Sequence, residues 1–236
     1  CRSSFGRVVN FGLSRRKMIL PVGRRVAKVL LVSFCNLGAR RSTGLLKVDV
    51  SSESAFPVDL GLSDGVDSCT GLAVDSGRIY VLCSSGTTQS IVALKSDTFE
   101  PVFNQPLPLV KEGHSLLAKG AYLYIVSTGT DEVLCYEVTT AKLCNPQVAW
   151  RASSYGSDTH HVNSIAQWHN NVVVSAFGPK SGTLWASALD GYLHDISRDM
   201  LIRSGIYHPH SLSTRDDSLY WCESQRKLVW CFEGPI

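Results

Sequence analysis

Four segments of the 236-residue chain share one local grammar. A fixed internal repeat constrains a fold more than any single motif, because each copy must be the same supersecondary unit. The copies are Thr70-Gly71-Leu72-Ala73 leading to Ile79-Tyr80-Val81-Leu82, and His114-Ser115-Leu116-Leu117 leading to Leu123-Tyr124-Ile125-Val126. The others are Asn163-Ser164-Ile165-Ala166 leading to Val172-Val173-Val174, and His210-Ser211-Leu212-Ser213 leading to Leu219-Tyr220-Trp221. In each copy the second anchor stands ten residues after the first: 70 and 80, 114 and 124, 163 and 173, 210 and 220. Turn formers lie between, such as Asp75-Ser76-Gly77 and His169-Asn170-Asn171. The pattern predicts a strand, a tight turn and a second strand.

A third strand is expected after a polar loop in several copies, at Ser90–Leu94, Glu132–Val138 and Leu228–Phe232. The first anchors are 44, 49 and 47 residues apart, and an earlier copy has strands at Lys28–Phe34 and Leu45–Val50. β-Branched and aromatic residues dominate these runs, and none keeps a 3.6-residue period. Four short strands per unit of roughly 40–50 residues describe an all-β, β-propeller fold with four-stranded blades. A β-sandwich predicts neither the fixed spacing nor the small residues beside each first anchor (Gly71, Ser115, Ser164, Ser211). About five blades are visible, and the last reaches Gly234-Pro235-Ile236 without a fourth strand. The expectation is a six-bladed ring truncated at its C-terminus.

Charge separates residues 1–17 from the rest. That stretch holds Arg2, Arg7, Arg15, Arg16 and Lys17 and no acid, ahead of Met18. It is read as a disordered basic tail or non-native upstream sequence, with the propeller domain spanning 18–236. The whole chain is only +3, too little to argue for nucleic acid. The apolar run Val29–Cys35 is too short to cross a bilayer, which takes about 20 residues, and no small-residue cleavage pattern follows it. No Asn-x-Ser/Thr acceptor is present, so a cytoplasmic protein without membrane partners is expected. The eight cysteines include no C-x-x-C and mostly sit in apolar runs, as small buried hydrophobes do. Reduced thiols are expected, although Cys135 and Cys144 could face each other across a hairpin.

Repeat equivalence also nominates a site. Equivalent positions in successive blades ring the axis at similar height, so Thr70, His114, Asn163 and His210 should share one channel mouth. Two residues earlier, on the same face by period-two alternation, stand Ser68, Glu112, His161 and His208. Four of the chain's seven histidines are in this set. Of the neighbours His160 and His161 only one can face the mouth. In His208-Pro209-His210 the proline favours extension at His208, so both rings can face one way. Three imidazoles from different blades suit a divalent metal such as zinc, with Glu112 as a general base. They suit better a structural, water-filled polar ring, and next to that a pocket for a ligand or partner. His194 falls in a later strand, away from the axis. Tyr155, Trp185 and Tyr192 are candidates for a loop surface. No nucleophile elbow, P-loop, zincin or dinucleotide motif competes.

At His161, Asn163, Ile165 and Ala166, and again at Pro209, His210, Ser211, Leu219 and Tyr220, the chain resembles an uncharacterised bacterial propeller family with H-x-N-x-I-A and P-H-S segments. The resemblance covers about residues 110 to 232. It implies a six-bladed propeller and no established reaction. More distantly the chain is similar to gluconolactonase and NHL-type propellers, the former holding calcium through axial Glu, Asn and Asp. Peptide-amidating lyases, another analogous architecture, hold zinc through three axial histidines.

The function expected from these residues is binding of a small ligand or protein partner at the His-rich mouth, through Ser68, Thr70, Asn163 and His208. The alternative is a metal-dependent lyase or hydrolase using zinc or calcium on His114, His161 and His210. The sequence leaves open whether the protein is an enzyme.

Overall fold

A computed structural model describes residues 7–9, 29–35, 44–62 and 65–233. The strands are β1 (Arg7–Val9), β2 (Val29–Ser33), β3 (Leu45–Asp49), β4 (Ser54–Pro57), β5 (Ser68–Asp75), β6 (Arg78–Ser85), β7 (Thr88–Lys95) and β8 (Pro101–Pro106). They continue with β9 (Gly113–Lys119), β10 (Tyr122–Ser127), β11 (Glu132–Val138), β12 (Leu143–Arg151), β13 (Val162–Trp168) and β14 (Asn171–Ala176). The last are β15 (Gly191–Asp195), β16 (Met200–Ile206), β17 (Pro209–Arg215), β18 (Ser218–Glu223) and β19 (Leu228–Phe232). All pairings are antiparallel and fall into five sheets, the blades of a β-propeller. Blades two to four are β5–β8, β9–β12 and β13–β16, and the first shows β2–β4 among the described residues.

The ten-residue spacing has a direct geometric meaning. Each second anchor pairs with the residue three positions after the first anchor: Tyr80 with Ala73, Tyr124 with Leu117, Val173 with Ala166 and Tyr220 with Ser213. The same hairpin register is therefore kept in four blades, and the third strands fall where the repeat placed them.

Packing follows from the period-two alternation of strand side chains. In β6, Ile79 and Val81 join a core shared with the first blade, while Tyr80 and Leu82 join one shared with the third. In β10, Leu123 and Ile125 face the second blade's core, and Val126 faces the fourth's. Each of blades two to four is thus apolar on both faces, and four buried layers alternate with the five blades. Burying one such Leu, Ile or Val contributes about 1.5–3 kcal/mol, which a lone blade would forgo on both faces.

The last blade has the strand order β1-β19-β18-β17. Arg7, Val8 and Val9 pair with Cys231, Trp230 and Val229, so a segment from the basic stretch provides the fourth strand that the C-terminal end lacks. This differs from the expectation of an incomplete last blade. The repeat could not reveal it, because the strand lies more than 200 residues from its partners in sequence. The remainder of the stretch 1–17 lies outside the described residues.

Candidate functional site

Strands β5, β9, β13 and β17 are the first strands of their blades, and each carries a break in pairing at the same place. Pairing with the second strand skips Thr70 in β5, His114 in β9 and Asn163 in β13. In β17 the extra residue lies one step on, within Ser211-Leu212. Such β-bulges unpair one residue, bend the strand and re-aim its side chain. Just before the strand comes a second irregularity. Glu112, His161 and His208 have positive φ of 48°, 52° and 50°, a left-handed conformation that costs non-glycine residues about 1–2 kcal/mol. The repeat therefore builds a kink and a bulge around the first anchor in successive blades.

This corrects one sequence expectation. His208 is left-handed rather than extended, in spite of the proline that follows it. The kink lets the His208 carbonyl accept from the Ser224 amide and brings its ring Nε2 within 2.8 Å of the Trp185 carbonyl oxygen. Simple alternation from His208 to His210 does not apply across it.

Three of the nominated histidines meet all the same. The His114 ring centroid lies 6.0 Å from that of His161 and 6.0 Å from that of His210. Phe177 packs beside His161 and His210: its ring stacks on His208 at 4.1 Å and meets His161 at 4.5 Å and His210 at 4.8 Å. Trp185 closes the far side at 4.7 Å from His161, with Lys180 Nζ 4.3 Å above the indole. Three imidazoles from two blades thus pack around one aromatic ring, and His114 of a third blade stands against two of them. His160 turns away, its Nδ1 3.1 Å from the Tyr192 hydroxyl. His194 lies on β15 against Trp150 and Asp199, and Tyr155 is fully out in solvent.

The other nominated residues border a cleft of about 380 Å³ that reaches His114 from the second blade. Cys35, Ser68, Thr70, Gln89 and Glu112 line it, with Glu112 exposed. Thr70 Oγ1 donates to the Gly113 carbonyl, tying the second blade to the third. Asn163 is buried and uses its amide internally: Nδ2 donates to the His161 carbonyl and Oδ1 accepts from Ser175. It does not line the cleft.

Burial acts on the charge state of His114 and His210. Desolvation, and then repulsion from His114, His161 and His208, pull the His210 pKa down to about 4. Desolvation is also the main force that lowers His114, followed by the His161 charge, and hydrogen bonds to backbone groups of His114 and Asn163 oppose it. His161 Nδ1 stands 3.1 Å from Asp158. At neutral pH, His210 is uncharged and able to donate one hydrogen bond and accept another.

Neutral imidazoles are the right chemistry for a metal, yet the ring nitrogens seen with partners face oxygens of the protein itself. Asp158 takes His161, Trp185 takes His208, and the backbone takes His114. No group of three or more His, Cys, Asp or Glu stands in metal-holding geometry among the described residues.

Phe177 and Gln225, whose Nε2 lies 3.1 Å from His208 Nε2, were not foreseen. Phe177 opens the long loop after β14, where the repeats differ most, and Gln225 sits in a short 3-10 turn after β18. Cys135 and Cys144 are not opposite one another, since Cys135 pairs with Gln147 and Cys144 with Glu137. Among the described residues no helix is long and apolar enough to cross a membrane.

No family model and no curated protein matches the chain. Solved structures do. One is a putative 6-phosphogluconolactonase from Bacteroides fragilis, with 11% identity and a TM-score of 0.57, covering 87% of this chain and 64% of that one. The β-propeller domain of Cps50 (Swd1) from Myceliophteria thermophila has 11% identity and a TM-score of 0.56, over 88% of this chain and 65% of its own. An auxiliary nutrient binding protein from Bacteroides ovatus has 12% identity and a TM-score of 0.56, over 86% and 56%. This chain therefore spans less than two thirds of each of these structures. At such identities the likeness is one of fold, and the chain is a β-propeller.

Proposed function

We propose that the protein binds a small, hydroxyl-rich ligand, such as a sugar acid or sugar lactone, at the mouth formed by His114, His161, His208 and His210. The observation that carries this reading is the packing of His161, His208 and His210 around Phe177, with His114 against two of them and a polar cleft alongside. Aromatic faces suit the C–H faces of a sugar ring, and imidazole, hydroxyl, amide and carboxylate groups suit its hydroxyls. The similar propellers named for a lactonase and for nutrient binding guide the choice of probe. Free thiols at the seven described cysteines support a reducing, cytoplasmic setting.

Titration calorimetry with gluconate, 6-phosphogluconate and glucose tests the reading. At least one probe should bind at 1:1, and Phe177→Ala should weaken it about tenfold or more, on the order of the 1.4 kcal/mol that one lost aromatic contact represents. Absence of binding by all three to folded protein contradicts the ligand class. Near-stoichiometric zinc or calcium in purified protein, lost in His210→Ala, would instead favour the metal-dependent lyase or hydrolase.

A further inference from the structure

Cys69 and Cys83 occupy directly opposite positions on β5 and β6, in the last regular pair before the bulge at Thr70. Their sulfurs are 3.7 Å apart, both buried, and both thiols are free. Opposite residues of an antiparallel pair have Cα atoms roughly 4.5 or 5.5 Å apart, within the span of roughly 4.4–6.8 Å that a disulfide bridges. Gly44 makes room for this arrangement, since a Cβ there would collide with Cys69 Sγ. Cys69 also lines the cleft that runs to His114, which gives a small reagent a way in.

We infer that Cys69 and Cys83 form a peroxide-sensing dithiol that closes into a cross-strand disulfide beside the ligand mouth. Cys69 Sγ attacks hydrogen peroxide, an S–O bond forms as the O–O bond breaks, and one water leaves. Cys83 Sγ then attacks the resulting sulfenic acid, an S–S bond forms as the S–O bond breaks, and a second water leaves. The two thiols lose two electrons and two protons, and the peroxide is reduced to two waters. A hydrogen bond from Cys83 holds the Cys69 thiol below its ordinary pKa, while that bond and burial raise Cys83. Cys69 lines the cleft and Cys83 does not, so Cys69 is the attacking sulfur and Cys83 the resolving one.

The inference does not depend on the nature of the ligand. Trypsin cleaves after Lys47, Arg78 and Lys95, so Cys69 and Cys83 fall on the separate peptides 48–78 and 79–95. The full chain is treated with hydrogen peroxide in its native state, alkylated with N-ethylmaleimide, digested without reductant and mapped by mass spectrometry. The expected product is a linked pair of these peptides, lighter than their sum by two hydrogens and separated by dithiothreitol. In Cys83→Ser, Cys69 should instead be trapped by dimedone as the sulfenic acid. If that variant does not fold, the wild-type map decides alone. Cys69 and Cys83 both recovered alkylated, while the exposed Cys35 is oxidised, would overturn the inference. So would sulfinic acid at either position without the linked peptides.

Discussion

His210 shows how a single side chain reports the state of the mouth. Its pKa of about 4 in the folded protein compares with 6.5 for an ordinary histidine. Between these values the unfolded chain binds a proton that the folded chain refuses, so stability rises with pH through that window. The folded protein should thus lose stability as pH falls from about 6.5 toward 4, and be unaffected by this group above 7. The full shift would exceed 3 kcal/mol, but solvent screening at this partly exposed ring reduces the effect to about 1–2 kcal/mol. Urea unfolding at pH 7 and pH 5 should show that loss in the wild type and a smaller one in His210→Gln. Ser164 makes a second residue-scale case, because its Oγ accepts the Leu212 amide across two blades. Ser164→Ala leaves that buried N–H without a partner and should cost about 1–3 kcal/mol in the same measurement.

At the scale of the element, the first strand of each blade carries two constraints at once. Its bulge aims the anchor side chain, and its next residue must be small. At Gly71 an added Cβ would stand 3.0 Å from Leu116 Cγ and 3.2 Å from the Leu116 amide nitrogen in the neighbouring blade. Backbone cannot move away as a side-chain tip can, so Gly71→Val should cost about 1–3 kcal/mol or more by overpacking. Thermal denaturation compared with Val74→Thr, a change on the exposed part of the same strand, separates this from a loss of strand propensity. The hairpins were legible in the sequence because register is written as a distance between anchors, ten residues in four copies. The kinks were not, because nothing in Glu112, His161 or His208 as residue types announces a positive φ. His208 was misjudged for that reason: the proline rule speaks to the right-handed region and is silent on the left-handed one.

For the whole molecule, repeat equivalence pointed to histidines that the fold brings side by side. His114, His161 and His210 come together because equivalent strands of successive blades pack side by side. Phe177 escaped because it belongs to a loop longer than its equivalents, and β1 escaped because its partners lie at the other end of the chain. The pairing of β1 with β19 gives a whole-molecule prediction. A chain lacking residues 1–9 leaves β19 as an unpaired edge. Its amides at Leu228–Phe232 should exchange with deuterium at least tenfold faster, while those of β10 keep their protection. Equal protection in both chains would mean that β1 contributes nothing to the last blade.

The most direct test of the account is the spectrum of the histidine ring nitrogens in protein labelled with ¹⁵N-histidine, recorded against pH and then with gluconate or 6-phosphogluconate. The account predicts that His210 stays neutral down to about pH 5 and that His114 also titrates below an ordinary histidine. The bound sugar acid should shift His114, His161, His208 and His210 together and leave His169 and His194 unmoved, since those two stand against Asp217 and Asp199 away from Phe177. Ordinary titration of His210 and His114, or ligand shifts confined to His169 and His194, would contradict it.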